Sequence, residues 1–252
     1  MPERPAASEP DSSPPPLPAD GSCTSSRPAR SPFDMSLSEA LDPRDSIRLY
    51  SNADRRSYRG RDLTIFREGD PCERLYEVIS GRIRLARTSS DGRRQVVRYV
   101  TVGGLFDLVP LLDGAPHAVT ASTVEPTDVL RIPREDVLRV IGDSPVAGGV
   151  IARMLAGQLR DTVGLVSDLA LYHVPARVAR ILLQDESPHP GIGAGIPAVG
   201  ATRREIAENA GTSREVVGRL LRALEASGII RTEGAHIRIM DADRLRSVAE
   251  FR

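Results

Sequence analysis

Between about residues 56 and 133, apolar and polar positions alternate with a period of two. Ile83 and Leu85 lie between arginines in GRIRLAR, and VVRYV (96–100) repeats the pattern. Side chains on a strand point to opposite faces in turn, so these runs predict short, half-buried strands. Glycine-bearing turns punctuate them at Gly69-Asp70, Ser80-Gly81, Asp91-Gly92, Gly103-Gly104 and Asp113-Gly114. Asp91-Gly92, between two strand-like runs, predicts a tight hairpin. Many short strands with such turns predict an antiparallel barrel or sandwich.

Past residue 143 the period changes. Ile151, Leu155, Leu159, Thr162/Val163, Val166 and Leu169 recur every three or four positions. They predict one helix over 145–171, with Ser144 as N-cap and Pro145 at its first position. At 1.5 Å per residue it would be about 40 Å long. Its apolar stripe either packs along its own barrel or forms the seam of a parallel homodimer. Gly149, Gly157 and Gly164 each weaken such a helix by about 1 kcal/mol relative to alanine. His173-Val174-Pro175 interrupts it, ARVARILLQ predicts a further helix, and residues 185–200 form a loop rich in proline and glycine.

Two short helices follow. Thr202 with Glu205 makes a capping box that opens RREIAENA, and Gly211 ends it. Thr212 with Glu215 makes a second box that opens SREVVGRLLRALEAS, which ends at Gly228. Ile229–Arg231 and His236–Ile239 are expected to pair as a wing around Glu233-Gly234. Two capped helices joined by a glycine turn form the helix-turn-helix pattern. In the second helix Val217, Leu220, Leu221 and Leu224 share one face, and Arg214, Glu215, Gly218, Arg219 and Arg222 share the other. That placement suits a recognition helix in the major groove of duplex DNA. There arginine forks onto guanine and glutamate accepts from cytosine. The alternative for these charges is a merely solvated face, with Glu215 engaged as a cap.

Composition narrows the classes. The 252-residue chain is 40% hydrophobic, enough for a core, but residues 1–35 are a proline-rich stretch expected to be a disordered tail. The 34 basic residues balance 34 acidic ones, which excludes a basic coating protein. All the basic residues are arginine, so lysine chemistries such as Schiff bases and P-loop phosphate binding are excluded. Cys23 and Cys72 are too few for a disulfide scaffold or a four-cysteine cluster. The four histidines show no zinc-ligand spacing on a helix. No apolar run reaches the length of a membrane span, and the first residues lack the apolar core of a signal peptide; the cytoplasm is the expected location. The strands, helices and tail leave no segment for a catalytic domain, so an enzyme is not expected.

The segment TRREIAENAGTSREVVGRLLRALEASGII resembles, nearly residue by residue, the helix-turn-helix of the Crp-Fnr superfamily of bacterial transcription regulators. The resemblance covers about residues 56–240 and includes FREGD (66–70), ISGRIRL (79–85) and LLDGAPHAVTASTVEPTDVLRIPRED (111–136). It implies an α+β chain: a cyclic-nucleotide-binding-type antiparallel β-roll over 36–142, a dimerisation helix over 143–171 and a winged helix-turn-helix over 172–252. It further implies a homodimer on a pseudo-palindromic duplex, with RNA polymerase as a partner if the protein is an activator. Thr202, Arg203, Thr212, Ser213, Arg214, Glu215 and Arg219 are the implied DNA-binding residues. Arg214, Glu215 and Arg219 match the base-reading set of the catabolite-activator branch.

The implied ligand pocket comprises Asp107, Leu108, His117, Ala118 and Thr162, and it departs from the family's pattern. Asp107-Leu108 stands where cyclic-nucleotide binders have Gly-Glu, and His117-Ala118 where they have Arg-Ser. The ribose-contacting glutamate and the phosphate-contacting arginine are both missing, and Val163 replaces a serine after Thr162. Cyclic AMP is therefore not expected to be the effector, nor is an iron–sulfur cluster. The alternatives are a haem-based gas or redox sensor with His117, or secondarily His173, as ligand, and a regulator that answers to another small molecule or to no ligand at all. No other metal is expected. Cys72, which follows Gly-Asp-Pro, is either a thiol switch or an inert cysteine.

Overall fold

The computed structural model describes residues 37–184, 202–234 and 236–250; the predicted tail and the 185–200 loop lie outside them. Two short helices, α1 (Leu37–Ala40) and α2 (Pro43–Tyr50), come first. Eight strands follow: β1 (Asp54–Tyr58), β2 (Thr64–Phe66), β3 (Arg74–Ser80), β4 (Ile83–Thr88), β5 (Arg94–Val100), β6 (Leu105–Phe106), β7 (Thr120–Thr123) and β8 (Thr127–Pro133). Helix α3 (Leu108–Asp113) lies between β6 and β7. Next come α4 (Arg134–Asp143), α5 (Pro145–Leu171), α6 (Val174–Leu182), α7 (Arg203–Ala210) and α8 (Arg214–Ala226). A wing of β9 (Ile230–Glu233) and β10 (His236–Ile239) precedes α9 (Ala242–Ala249).

The eight strands form two four-stranded antiparallel sheets, ordered β1-β8-β3-β6 and β2-β7-β4-β5. Their inner faces close on Phe66, Val78, Ile83, Val100, Phe106 and Val129. This is the predicted roll, and the Asp91-Gly92 hairpin joins β4 to β5 in the register Ile83↔Val100 to Thr88↔Arg94. Between β3 and β4, Gly81 has φ +80°, and a Cβ there would lie 2.4 Å from the Pro126 carbonyl oxygen. Only glycine fits that combination of torsion and close approach.

Helices α1, α2 and α4 were not anticipated by the strand pattern. They cover one end of the roll, where Leu37, Leu49, Leu75, Leu111, Val137 and Val140 pack with Ala147, Ile151 and Met154 of α5. The predicted cap of α5 is present: the Ser144 hydroxyl accepts from the Ala147 amide at 3.2 Å, with Pro145 following. The N-terminal half of α5 is thus held by its own roll. Farther along, Leu159, Val163 and Val166 are 64%, 57% and 59% exposed, so the stripe emerges uncovered.

A third core joins the roll to the C-terminal helices and wing. Val96 and Tyr99 of β5 and Leu165 of α5 pack with Ile181, Ile206, Val217, Leu221, Ile230 and Leu245. Among the described residues no helix is long and apolar enough to cross a membrane.

Candidate functional site

Helix α7 opens with the predicted capping box: Thr202 Oγ1 accepts from the Glu205 amide at 3.2 Å, and Glu205 Oε2 accepts from the Thr202 amide at 2.8 Å. Gly211, at φ +62°, ends it in the left-handed conformation. The second box is corrected. The N-cap of α8 is Ser213, whose hydroxyl accepts from the Val216 amide at 3.3 Å, and Glu215 stands at the second helical position. Glu215 is therefore free of the capping-box role, and its carboxylate projects at the exposed start of α8. Hydrogen bonds from its own backbone amide and the Ser213 hydroxyl, with Arg214 and Arg219 nearby, hold its carboxyl below the usual glutamate range.

Val217 and Leu221 are buried behind α8, whereas Arg214, Glu215, Arg219 and Arg222 are exposed. Gly218, expected on the exposed face, has its backbone covered. A cleft of about 380 Å³ runs between the starts of α7 and α8 and the wing, lined by Thr202, Arg203, Arg214, Thr232, Gly234 and Ile237. Of the other predicted contacts, Thr202, Arg203 and Ser213 are exposed and Thr212 is half-buried. The wing is fixed to α8 because Glu225 Oε1 accepts from the Thr232 amide at 2.8 Å.

The opposite face of α7 is clamped to the roll. Asn209 Nδ2 donates to Tyr99 Oη at 3.1 Å, and Gln95 Nε2 donates to the Asn209 carbonyl at 3.2 Å. Glu208, buried at this joint, lies 3.4 Å from an Arg84 nitrogen and 2.9 Å from Arg204 Nε. Sequence spacing gave no hint of this joint.

The predicted ligand residues separate into two groups. Asp107 and His117 touch, with His117 Nδ1 against Asp107 Oδ2, and both side chains are buried. Asp107 caps α3 at φ +73°, and burial pushes its carboxyl up while Cys72 and His117 pull it down. The His117 ring stacks on Phe66 at 3.8 Å between centroids. Leu108 is 1% exposed and packs into the helix-covered end of the roll. Ala118 and Thr162, by contrast, are exposed, and Thr162 Oγ1 donates to the Gln158 carbonyl at 2.8 Å. The structure does not bring Thr162 into contact with Asp107 or His117. His173 is exposed at the start of α6.

Cys72, which follows Gly-Asp-Pro, is buried, and its Sγ lies 3.1 Å from Asp107 Oδ2. Burial, together with Asp107, pushes its thiol up to about 12, so with no cation beside it the thiol stays protonated near neutrality.

Residues 56–144 match the cyclic nucleotide-binding domain family, and residues 176–248 match the Crp-like helix-turn-helix domain family. A CRP-like cAMP-activated global transcriptional regulator of Mycobacterium tuberculosis is 33% identical over 187 residues, covering 73% of this chain and 84% of that one. The Cyclic AMP receptor protein of Thermus thermophilus is 34% identical over 185 residues, covering 73% and 83%. Among solved structures, the c-di-GMP responsive global regulator CLP of Xanthomonas campestris is similar with a TM-score of 0.68 at 27% identity, covering 79% of this chain and 99% of that chain. FixK2 from Bradyrhizobium japonicum has a TM-score of 0.65 at 28% identity, covering 79% and 98%. With the roll, the long helix and the winged helix-turn-helix in the same order, this chain belongs to the Crp-Fnr family of transcription regulators.

Proposed function

We propose that the protein works as a homodimer that reads a pseudo-palindromic DNA site, each protomer placing α8 in the major groove of one half-site. The observation that carries this is the division of α8: Val217 and Leu221 are buried behind it, while Arg214, Glu215 and Arg219 stand exposed at its N-terminal half. The arginines fork onto guanine O6 and N7, and Glu215 accepts from cytosine N4. Thr202, Arg203, Thr212 and Ser213 hold phosphates beside the starts of α7 and α8 and set the register. The uncovered stripe of Leu159, Val163 and Val166 on α5 is the seam between protomers. RNA polymerase is the partner if the protein activates transcription, and the cytoplasm, where that DNA lies, is its place of action.

The cyclic-nucleotide effector of the relatives does not carry over. Leu108 is buried in a core where those binders have a glutamate, and His117 turns inward onto Phe66 and Asp107 where they have an arginine. A haem input finds no support in the same residues, because His117 is already packed between Phe66 and Asp107.

The test is selection of duplexes from a random library with the full chain. The expected result is an inverted repeat whose half-site centres lie about 34 Å apart, one turn of the duplex. Recovery of no inverted repeat, or of sequences bound equally well by random DNA, overturns the reading.

A further inference from the structure

We propose that Cys72, Asp107 and His117 form a three-ligand site for a divalent cation of the zinc class, in the wall of the roll where related regulators hold an effector. The three come from separate segments: the loop before β3, the N-cap of α3 and the loop before β7. Among the described residues they are the only group of three potential ligands this close, with ligand atoms within 4.8 Å of one another.

The donor set is selective. A thiolate, an imidazole and a carboxylate suit zinc and its first-row neighbours, whereas magnesium and calcium take oxygen ligands. Zinc bonds of about 2.0–2.3 Å in a tetrahedron put ligand atoms about 3.3–3.6 Å apart. Cys72 Sγ already lies 3.1 Å from Asp107 Oδ2, and His117 Nδ1 is pressed against the same oxygen. With all three ligand atoms within 4.8 Å of one another, reaching bonding distance takes an outward turn of the Asp107 carboxylate and a side-chain adjustment of Cys72 or His117.

An independent observation points into the same space. His117 is 4% exposed, and its buried Nδ1 makes no aligned hydrogen bond, although Asp107 Oδ2 is beside it. A buried polar atom without an aligned partner costs free energy that a metal bond recovers. The imidazole is also fixed before any cation arrives. Its backbone amide donates to the Asp70 carbonyl, its carbonyl accepts from the Gly69 amide, both at 2.9 Å, and its ring stacks on Phe66. Three protein ligands leave the fourth corner of a tetrahedron for water or a small anion.

Cobalt(II) is the probe, titrated into the chelator-treated full chain. The expected result is saturation at one equivalent, with the d–d absorption of a tetrahedral centre and a thiolate charge-transfer band, both displaced by zinc. Cys72→Ser and His117→Ala are each expected to bind more than about tenfold more weakly, with loss of the charge-transfer band in Cys72→Ser. Cys23→Ser is expected to behave as the wild type. Because both ligand side chains are buried, a second readout needs no substitution: zinc at one equivalent raises the melting temperature of the wild type. Absence of the cobalt bands, their persistence in Cys72→Ser, or no change in melting with zinc overturns the site. The titration contains no DNA, so its failure leaves the DNA-binding reading intact.

Discussion

The roll and the recognition helix use the same side chain in opposite ways. Arginine supplies every positive side chain other than histidine in this protein. In the roll several guanidinium groups are tied to carboxylates: Arg55 to Asp128 at 2.6 Å, Arg74 to Asp54 at 2.9 Å, and buried Arg84 to Glu208 of α7 at 3.4 Å. On α8, Arg214, Arg219 and Arg222 project into solvent. Arginine stays protonated at any physiological pH, so its charge is met by the fold, by a partner or by water. The difference shows which half of the molecule is built to hold itself and which to hold DNA. The implied ligand pocket falls on the first side, since Asp107 and His117 face each other inside the roll.

The comparison breaks most severely if the reading face works without a second protomer. Val166 lies 59% exposed on the uncovered part of α5, whereas Leu155 leans on the roll's own core, so Val166 is the cleaner position to test. Val166→Asp places two unpaired carboxylates in the seam of a dimer, and burying such groups costs several kcal/mol. The expected outcome is a monomer by sedimentation and operator affinity reduced by more than about a hundredfold. A Val166→Asp protein that stays dimeric, or one that binds the operator as a monomer with unchanged affinity, removes α5 from the argument.

A second effect sharpens the other side. A cyclic phosphodiester carries one negative charge, and charge-assisted bonds from a forked arginine are the strong way to meet it. This chain offers an inward-facing imidazole at His117 and a buried Leu108 instead. Losing two partners at about 1.5–3 kcal/mol each predicts binding at least about a hundredfold weaker than in a site that keeps both. Calorimetric titration with cyclic AMP and cyclic GMP checks this. Micromolar affinity for either, coupled to tighter operator binding, would show that the pocket still senses nucleotides.

The output was more legible in sequence than the input, for physical reasons. RREIAENA matches α7, and the 145–171 periodicity matches α5, because capping and amphipathic spacing are local signals. The same kind of signal, Asp42 as N-cap before Pro43, marks α2, whose Asp42 carboxylate accepts from the Arg44 and Asp45 amides at 2.9 Å. The strand pattern nearby masked it. The cap of α8 was ambiguous because Thr212 and Ser213 are adjacent and both suit the role. What no local rule reaches is contact across the chain. Tyr99 and Asn209 are 110 positions apart, and Cys72 and Asp107 are 35 apart with no shared motif. Such pairs exist only once the roll has closed and α7 has docked against it.

The next prediction concerns the reading face itself. Arg214→Ala and Arg219→Ala are each expected to weaken specific binding by about 1–3 kcal/mol and to relax preference at one base pair per half-site. Neither side chain is buried, so melting temperature should stay near the wild-type value. Competition binding against operators substituted one base pair at a time measures this. A uniform loss across all sequences would reassign the residue to phosphate contact, and an unchanged profile would remove it from the interface.

The smallest expected effect tests whether the roll's charges are tied as described. Asp128 accepts hydrogen bonds from the Ser57 and Ser80 hydroxyls and pairs with Arg55, and these partners hold its carboxyl down at about 2. A carboxyl whose folded value lies below its unfolded one stabilises the fold above the unfolded value and loses that contribution as pH falls through the folded one. For Asp128 the window runs from the ordinary value of 3.8 down to about 2. Asp128→Asn cannot titrate, so its melting temperature should fall less steeply across this window than that of the wild type. At neutral pH the variant should start slightly lower, because the charge-assisted bonds from Arg55 are weakened. Melting curves of both proteins at pH steps through the window give the difference directly. Parallel curves would mean that Asp128 is solvated and untied, and that the division between bound and free charge does not extend to this edge of the roll.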